Sequence, residues 1–190
     1  MLFKFSCGAL LAVVFAALSG PVVAQQKLVV EKSSISFTSK QMGVPVDGAF
    51  KRFEAQVLFD PKKPDASKVS FNVDLTSVNI GSAETEKELR KSGWFDSAKV
   101  PTATFVSSSV KSLPAGKFEF AGKLAIKGQT QNVVVPVTLT QKDGLTLAAG
   151  SFVIKRLDFK IGDGDWNDTS LVANEVTVQV KLALSGVSPL

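Results

Sequence analysis

Histidine and tyrosine are absent from this 190-residue chain, and its one cysteine, Cys7, lies within the first 24 residues. Beyond residue 24 the chain therefore lacks the ligands of ordinary zinc sites, the base of serine and cysteine triads, and the thiols of disulfides or redox chemistry. No apolar run after residue 24 approaches the roughly 18 residues that a membrane-spanning helix needs. These absences favour a binding function over a catalytic one.

A strong excess of one sign of charge is also lacking, with 22 basic and 17 acidic residues. The formal net charge is +5, and it falls to +4 when the first 24 residues are removed, because they contain Lys4 and no acidic residue. The basic residues are scattered rather than interleaved with aromatic residues along one stripe, so nucleic acid is not predicted as a partner.

The first 24 residues have the features of a secretory signal. Lys4 precedes an apolar run over residues 10–18, and a small-residue cleavage motif ends at Ala24. We predict a signal peptide over residues 1–24 that is cleaved after export, and a periplasmic location. Residues 25–190 are then long enough for one domain with a sizeable core.

Hydrophobic alternation with a period of two dominates the remainder, as in Val176, Val178 and Val180, which alternate with polar residues. Eight strands are predicted, over residues 28–40, 55–60, 69–76, 102–112, 117–126, 131–141, 145–158 and 175–184. Pro136 interrupts one of them and predicts an edge position or a bulge, because proline cannot donate a ladder hydrogen bond.

One segment breaks this pattern and predicts a short helix over residues 82–91, with Ser82 as its N-cap and Gly93 as its stop. Eight antiparallel strands can close into a barrel that is filled with side chains or holds one small ligand. The predicted fold is therefore all-β, an eight-stranded antiparallel barrel with one short helix. The eleven phenylalanines after residue 24 are compatible with either interior, and composition alone favours the filled one.

Local motifs carry more specific information. They are residues 34–40 (SISFTSK), 48–53 (GAFKRF), 59–61 (FDP), 94–96 (WFD), 101–105 (PTATF), 122–128 (GKLAIKG) and 156–159 (RLDF). In these motifs and in their order the chain resembles the YceI family. The resemblance extends over nearly all of residues 25–190.

This resemblance implies an extended, lipocalin-like barrel that binds a polyisoprenoid, or a similar amphiphile such as an isoprenoid quinone, in its lumen. It implies no cofactor and no catalytic activity. Some family members occur beside cytochrome b561-type membrane proteins, which implies such a partner and suits a quinone ligand. Many members have a Lys-His pair where this chain has Lys40-Gln41, so any role of that histidine is lost here.

The inward apolar residues of such a barrel are the predicted ligand site. They are Phe37, Phe53, Val57, Phe59, Phe71, Val73, Phe105, Phe120, Phe152, Ile154, Phe159 and Val178. Met42, Trp94 and Trp166 are predicted near the openings, and Phe95 is predicted to anchor the end of the helix.

Alternatives to a lipid carrier stay open. A filled barrel could act as a periplasmic stress or interaction module through its loops and a membrane partner. An enzyme is less favoured, because Ser39 and Lys40 are adjacent on a strand and point to opposite faces. Pairing of two copies through a barrel mouth or the Pro136 strand is also left open.

Two polar features have competing interpretations. Asp163, Asp165 and Asn167 alternate as in a calcium-binding loop, but Asp168 stands where that loop requires glycine. A solvated turn explains the same residues. The Lys155-Arg156 pair is interpreted first as solvated strand positions, and second as a salt-bridge site for a pyrophosphate or another polar head group.

Overall fold

The computed structural model describes residues 26–190, so the predicted signal peptide lies outside the described residues. The elements are β1 (Lys27–Leu28), β2 (Ser34–Gln41), β3 (Val44–Phe50), β4 (Phe53–Leu58), β5 (Lys68–Asp74), β6 (Val78–Asn79), α1 (Ala83–Leu89), β7 (Thr102–Leu113), β8 (Lys117–Ile126), β9 (Gln129–Lys142), β10 (Leu145–Lys155) and β11 (Glu175–Ser185). Short 3-10 segments cover Val30–Lys32, Pro64–Ala66, Leu75–Ser77, Arg156–Phe159 and Gly164–Trp166. Over residues 26–190, none of the helices combines the length and the apolar character needed to span a bilayer.

The strands form one antiparallel sheet in the order β4-β5-β7-β8-β9-β10-β11-β2-β3-β6, with β1 added along β11. The two ends of this order meet at a corner. β3 continues directly into β4, and β5 continues through a 3-10 segment into β6. Because β4 pairs with β5 and β3 pairs with β6, these pairings link the first and last strands of the order. At this corner the Lys51 amide donates to the Ser77 carbonyl at 3.2 Å, and the Asp74 amide donates to the Arg52 carbonyl at 3.0 Å. The sheet is therefore a curled barrel in which β3–β4 and β5–β6 are two bent strands.

When each bent strand is counted once, the wall of the barrel consists of eight strands, and the fold has one short α-helix. This confirms the predicted all-β, lipocalin-like architecture. The segment before β2 completes the wall at one end. The Val29 amide donates to the Ala183 carbonyl of β11 at 2.8 Å. On the other side, the Gln26 side chain exchanges hydrogen bonds of 2.6 and 2.8 Å with the backbone of Phe59.

Two predicted strand boundaries are wrong, and one long strand was missed together with the two-residue β6. Residues 28–40 are divided by the 3-10 segment Val30–Lys32, where the Ser33 hydroxyl donates to the Val29 carbonyl at 2.7 Å. The strand predicted over residues 145–158 ends at Lys155 and turns into Arg156–Phe159.

The missed long strand is β3, which forms a two-residue hairpin with β2 through Met42 and Gly43. Both turn residues have positive φ, 49° and 81°, as a type I′ hairpin requires. Pro45 and Gly48 lower the strand propensity of β3. Gly48 is nevertheless required there, because a Cβ at this position would lie 2.3 Å from Cζ of Phe37 on the paired strand.

Helix α1 occupies the predicted position. The Ser82 hydroxyl accepts a hydrogen bond from the Thr85 amide at 3.4 Å, as predicted for an N-cap. The Glu86 carboxylate accepts hydrogen bonds from the Ile80 amide at 3.0 Å and the Asn79 side chain at 2.7 Å. These bonds, the Ile80 amide first, lower the pKa of Glu86 and attach the helix to β6.

Pro136 lies at a local edge, as predicted. The β9–β10 ladder runs from Lys142 and Leu145 only as far as Val137 and Gly150. Pro136 is one residue beyond that point and faces only β8, opposite Glu119. A residue without an amide proton is tolerated there because the neighbouring ladder has already ended.

Candidate functional site: two apolar cavities

The interior of the barrel contains two cavities, of about 260 Å³ and 140 Å³. The larger one lies beside helix α1 and the chain around Trp94, Trp166 and Val172. The smaller one is lined by strand residues alone, among them Phe59, Phe120 and Leu182.

The two cavities share part of their lining, which makes them neighbouring compartments of one lumen. The shared side chains are Ile35, Val73, Leu124, Phe152 and Val178. Phe152 pairs with Val178 across β10 and β11, so two members of this set lie directly opposite each other. We call these five residues the constriction.

The distribution of polar side chains differs between the cavities. In the smaller cavity the only one is Thr146, whose hydroxyl already accepts a hydrogen bond from Gln141 at 3.0 Å. The larger cavity has polar side chains as well, namely Ser39, Gln41, Thr85, Glu88 and Arg156. Both cavities are therefore mainly apolar, and most of the polar side chains in the lining belong to the larger one.

Arg156 is 2% exposed and lines the larger cavity. Its guanidinium donates to five backbone carbonyls, those of Ala173, Ile161, Gly162, Trp166 and Val172, at 2.6–3.2 Å. Desolvation lowers its pKa. Both earlier interpretations of Arg156 are thus wrong, since it is neither solvated nor has a donor left for a head group.

Most of the predicted ligand-site residues lie in the linings. Phe37 and Ile154 line the larger cavity, Val57, Phe59, Phe71, Phe105 and Phe120 line the smaller one, and Val73, Phe152 and Val178 line both. Phe53 and Phe159 line neither cavity and are buried in the surrounding core.

Of the residues predicted near the openings, Trp94 and Trp166 line the larger cavity with ring centroids 5.7 Å apart. Met42 is 70% exposed and lines neither cavity. Phe95 follows the helix as predicted, with its amide bonded to the Leu89 carbonyl at 3.0 Å, and it also lines the larger cavity.

Several lining residues were not foreseen from sequence. Leu124 and Ile126 continue the inward face of β8, so the period-two pattern could have identified them. Ala148 carried no comparable signal, because a small side chain predicts neither a core nor a cavity. Val46 and Phe50 were missed together with β3.

The acidic loop has protein partners for two of its carboxylates. Lys127 forms an ion pair with Asp163 at 3.3 Å. Asp168 accepts hydrogen bonds from the hydroxyl and amide of Ser170 at 2.7 and 2.8 Å, which lower its pKa. Over residues 26–190, no group of three or more histidine, cysteine or acidic side chains is arranged to hold a metal ion.

An antiparallel barrel of eight strands around an apolar lumen is the architecture of lipocalin-like proteins. A family model described as a YceI-like domain matches residues 27–184. The chain therefore belongs to the YceI-like family.

Individual relatives agree with this assignment. A UPF0312 protein of Azotobacter vinelandii is 41% identical over 88 residues, which are 46% of this chain and 46% of that protein. Protein YceI of Escherichia coli O157:H7 is 40% identical over 95 residues, 50% of this chain and 47% of that protein. The chain thus spans about half the length of these curated relatives.

Solved structures are similar over a greater length. BcnA from Burkholderia cenocepacia, known from a crystal structure, is 40% identical in sequence and superimposes with a TM-score of 0.80. The aligned region covers 83% of this chain and 99% of the BcnA chain. A polyisoprenoid binding domain from Saccharophagus degradans has a TM-score of 0.67, and the aligned region covers 85% of this chain and 98% of that domain's chain. At 17% identity it is similar in fold alone.

Proposed function

We propose that this protein holds a polyisoprenoid or an isoprenoid-quinone-type lipid in its lumen and carries it through the periplasm, without catalysing a reaction on it. The observation that carries the proposal is the pair of neighbouring apolar cavities, whose linings share the five residues of the constriction. An extended apolar tail fits an apolar lumen of this kind, and a polar head suits the part of the larger cavity that Ser39, Gln41 and Thr85 line.

The energetic argument rests on the apolar lining. Burial of a methylene group contributes about 0.8 kcal/mol, so a tail of many carbons can offset the cost of ordering the ligand. Because these contacts have no direction, they favour length and shape over a particular chemical group. The structural relative from Saccharophagus degradans is described as a polyisoprenoid binding domain, which supports this class of ligand.

The signal peptide predicted over residues 1–24 supports the periplasmic part of the proposal. A cytochrome b561-type membrane protein would be a fitting partner for a quinone carrier. The alternative of a filled barrel that acts only through its loops is less favoured, because the interior is not filled.

The proposal is tested by purifying the exported protein from a bacterial host without detergent and analysing an organic extract by mass spectrometry. We expect an isoprenoid lipid in a stoichiometric amount. The same protein, freed of lipid by unfolding and refolding, should then bind an added prenyl quinone.

Binding can be followed by intrinsic fluorescence, because the two tryptophans of the chain, Trp94 and Trp166, both line the larger cavity. A quinone in the lumen should quench both. Absence of lipid from the extract together with absence of quenching would reject the carrier proposal in favour of the filled-barrel module.

A further inference from the structure

Strand β2 changes in polarity along its inward face. Gln41, Ser39, Phe37 and Ile35 lie on this face, two residues apart, and all four line the larger cavity. Gln41 is exposed, Ser39 and Phe37 are half-buried, and Ile35 is 7% exposed at the constriction. Because a strand rises about 3.3 Å per residue, Gln41 and Ile35 are roughly 20 Å apart. The strand thus runs from an exposed polar side chain to a buried apolar one.

The mouth of the larger cavity is marked by lining residues that are also exposed. They include Gln41 at the end of β2, Thr85 on α1 and Trp166. The backbone of Gln41 is held on both sides, since it pairs with Val44 of β3 and forms an isolated bridge with Val172. The Gln41 side chain therefore projects from a fixed backbone at the mouth.

Three of the five polar side chains in this lining already have partners within the protein. The Thr85 hydroxyl donates to the Ser82 hydroxyl at 3.0 Å, and Glu88 forms an ion pair with Lys91. The five N–H groups of Arg156 are all bonded to backbone carbonyls. These three side chains are therefore poorly available to a ligand.

The other two polar side chains of the lining, Ser39 and Gln41, are available. Over residues 26–190, neither side chain forms a hydrogen bond with the protein. A serine hydroxyl and a glutamine amide can each donate and accept, and the two residues are about 7 Å apart along one face of β2. They are suited to a head that carries carbonyl or hydroxyl oxygens.

The charges around the mouth disfavour an anionic head. Helix α1 carries three glutamates and one lysine, and residues 163–168, on either side of Trp166, contain three aspartates and no lysine or arginine. Arg156, the one cation of the lining among the described residues, has no N–H left for a phosphate. A phosphate would therefore face carboxylates at the mouth and lose water inside without gaining a charged donor.

We propose that the bound lipid has an uncharged, oxygen-bearing head, that Gln41 and Ser39 hydrogen-bond this head at the mouth, and that the tail runs along β2 towards Ile35. A quinone or an alcohol has such a head, whereas a phosphate is charged and a pure hydrocarbon has no oxygen. The inference rests on the proposed function and adds to it the class of head group, the residues that select it and the direction of the ligand.

The test compares three probes of similar tail length, a prenyl quinone, a prenyl phosphate and the isoprenoid hydrocarbon squalene, in binding to the wild type and to Gln41→Met. Methionine keeps the length of the side chain but not its hydrogen-bonding amide. We expect the affinity for the quinone to fall about five-fold, while that for squalene changes by less than about two-fold. The wild type should bind the quinone about ten-fold more tightly than the phosphate, and this ratio should shrink at high salt.

Gln56→Met is the matched control, since Gln56 is exposed on the outer face of β4. It should leave all three affinities unchanged. Equal losses for the quinone and squalene in Gln41→Met, or a prenyl phosphate that binds the wild type as tightly as the quinone, would overturn the inference and leave the carrier proposal intact. Failure of the wild type to bind any probe would instead reject the carrier proposal and the inference with it.

A measurement on the wild type keeps the inference testable if Gln41→Met does not fold. The side-chain amide of Gln41 gives a pair of signals in a ¹H–¹⁵N spectrum. These signals should shift when the quinone binds and stay nearly in place when squalene binds. Identical shifts with both probes would show that the head does not contact Gln41 and would overturn the inference.

Discussion

At the scale of single residues, Arg156 connects the chain over residues 161–173 to the barrel. One guanidinium satisfies five carbonyl oxygens from that segment, and the side chain is 2% exposed. The planar fork of arginine is suited to several fixed acceptors, whereas the ammonium group of lysine has three donors on a flexible stem.

Arg156→Lys is therefore expected to lower the free energy of unfolding by about 2–4 kcal/mol, because at least two buried carbonyls lose their partner. Urea unfolding measures this change. Lys155→Met, at an exposed position one residue earlier, should stay within about 0.5 kcal/mol of the wild type. Equal midpoints for the wild type and Arg156→Lys would show that water replaces the lost donors.

Gly122 is a second position at which the local structure requires a particular residue, here one without a side chain. It faces Ser107 beside a β-bulge, where the pairing of β7 and β8 moves from Ser107 directly to Ser109. A Cβ on Gly122 would lie 2.4 Å from the Val106 carbonyl oxygen. The strands approach too closely there for any side chain.

Gly122→Ala should destabilise the protein by about 1–3 kcal/mol, because the backbone must shift to relieve the clash. The thermal midpoint would report the loss. Gly93→Ala is the matched control, since its Cβ would meet no atom within 4 Å and its φ is not positive. A thermal midpoint for Gly122→Ala no lower than that of the control would contradict this explanation of the bulge.

At the scale of elements, the corner between the bent strands depends on Asp74. Its carboxylate accepts hydrogen bonds from the hydroxyl and amide of Thr76, at 2.6 and 2.8 Å, and from Nε of Arg52 at 2.8 Å. These bonds, the Thr76 hydroxyl first, hold the pKa of Asp74 below its ordinary value. The carboxylate also caps the 3-10 segment Leu75–Ser77.

A lowered folded-state pKa means that Asp74 stabilises the fold above its unfolded-state pKa, and that this contribution disappears as the pH falls through the lowered value. Asp74→Asn should therefore be less stable than the wild type at neutral pH, and the difference should shrink as the pH falls below the unfolded-state pKa of Asp74 and through its lowered folded-state pKa. Urea midpoints across this range provide the measurement.

Asp143→Asn removes the same charge from an exposed turn between β9 and β10. This control variant separates the loss of stability caused by the corner contacts of Asp74 from that caused by the change in net charge. A difference between Asp74→Asn and the wild type that persisted unchanged at the acidic end would contradict the role of the carboxylate.

The elements also show how far sequence reasoning extends. Strands such as β5, β8 and β11 have an uninterrupted inward face, and the period-two pattern located them within a few residues. The β3 strand was not predicted, because its stability comes from pairing with β2 and β6 rather than from its own composition.

The candidate site was predictable only in part, for a related reason. Alternation indicates which residues face inward, but the height of a residue in the barrel depends on register across neighbouring strands. Phe53 and Phe159 are buried as an inward face predicts, yet they lie in the core next to the cavities. The position of the constriction depends on the pairing of all the strands and could not be derived from any one of them.

At the scale of the whole molecule, the two cavities in sequence make the length of the ligand a measurable property. Under the proposed function, a short prenyl tail would occupy the larger cavity, whereas a longer one would extend past the constriction into the smaller cavity. Ala148 is buried in the lining of that second compartment.

Ala148→Leu should reduce the free volume of the smaller cavity and weaken binding of a long prenyl quinone about ten-fold, because part of the tail loses its apolar environment. A short prenyl quinone should bind as before. Fluorescence titration of both quinones measures this change, with thermal unfolding to show that the variant is folded.

Ala149→Leu places the same side chain on the exposed outer face of β10 and should leave both affinities unchanged. Equal weakening of the long and short quinones by Ala148→Leu would show that the smaller cavity does not receive the tail.

The pairing of β2 with β11 also determines the order in which the molecule can be completed. The Ser36 hydroxyl on β2 donates to the Gln179 side chain on β11 across 143 positions of sequence, and Ser34–Thr38 pair with Thr177–Lys181. During synthesis β2 therefore emerges well before its partner strand β11. Contacts between such distant parts of a chain form slowly, so the lumen cannot close before translation has passed residue 185.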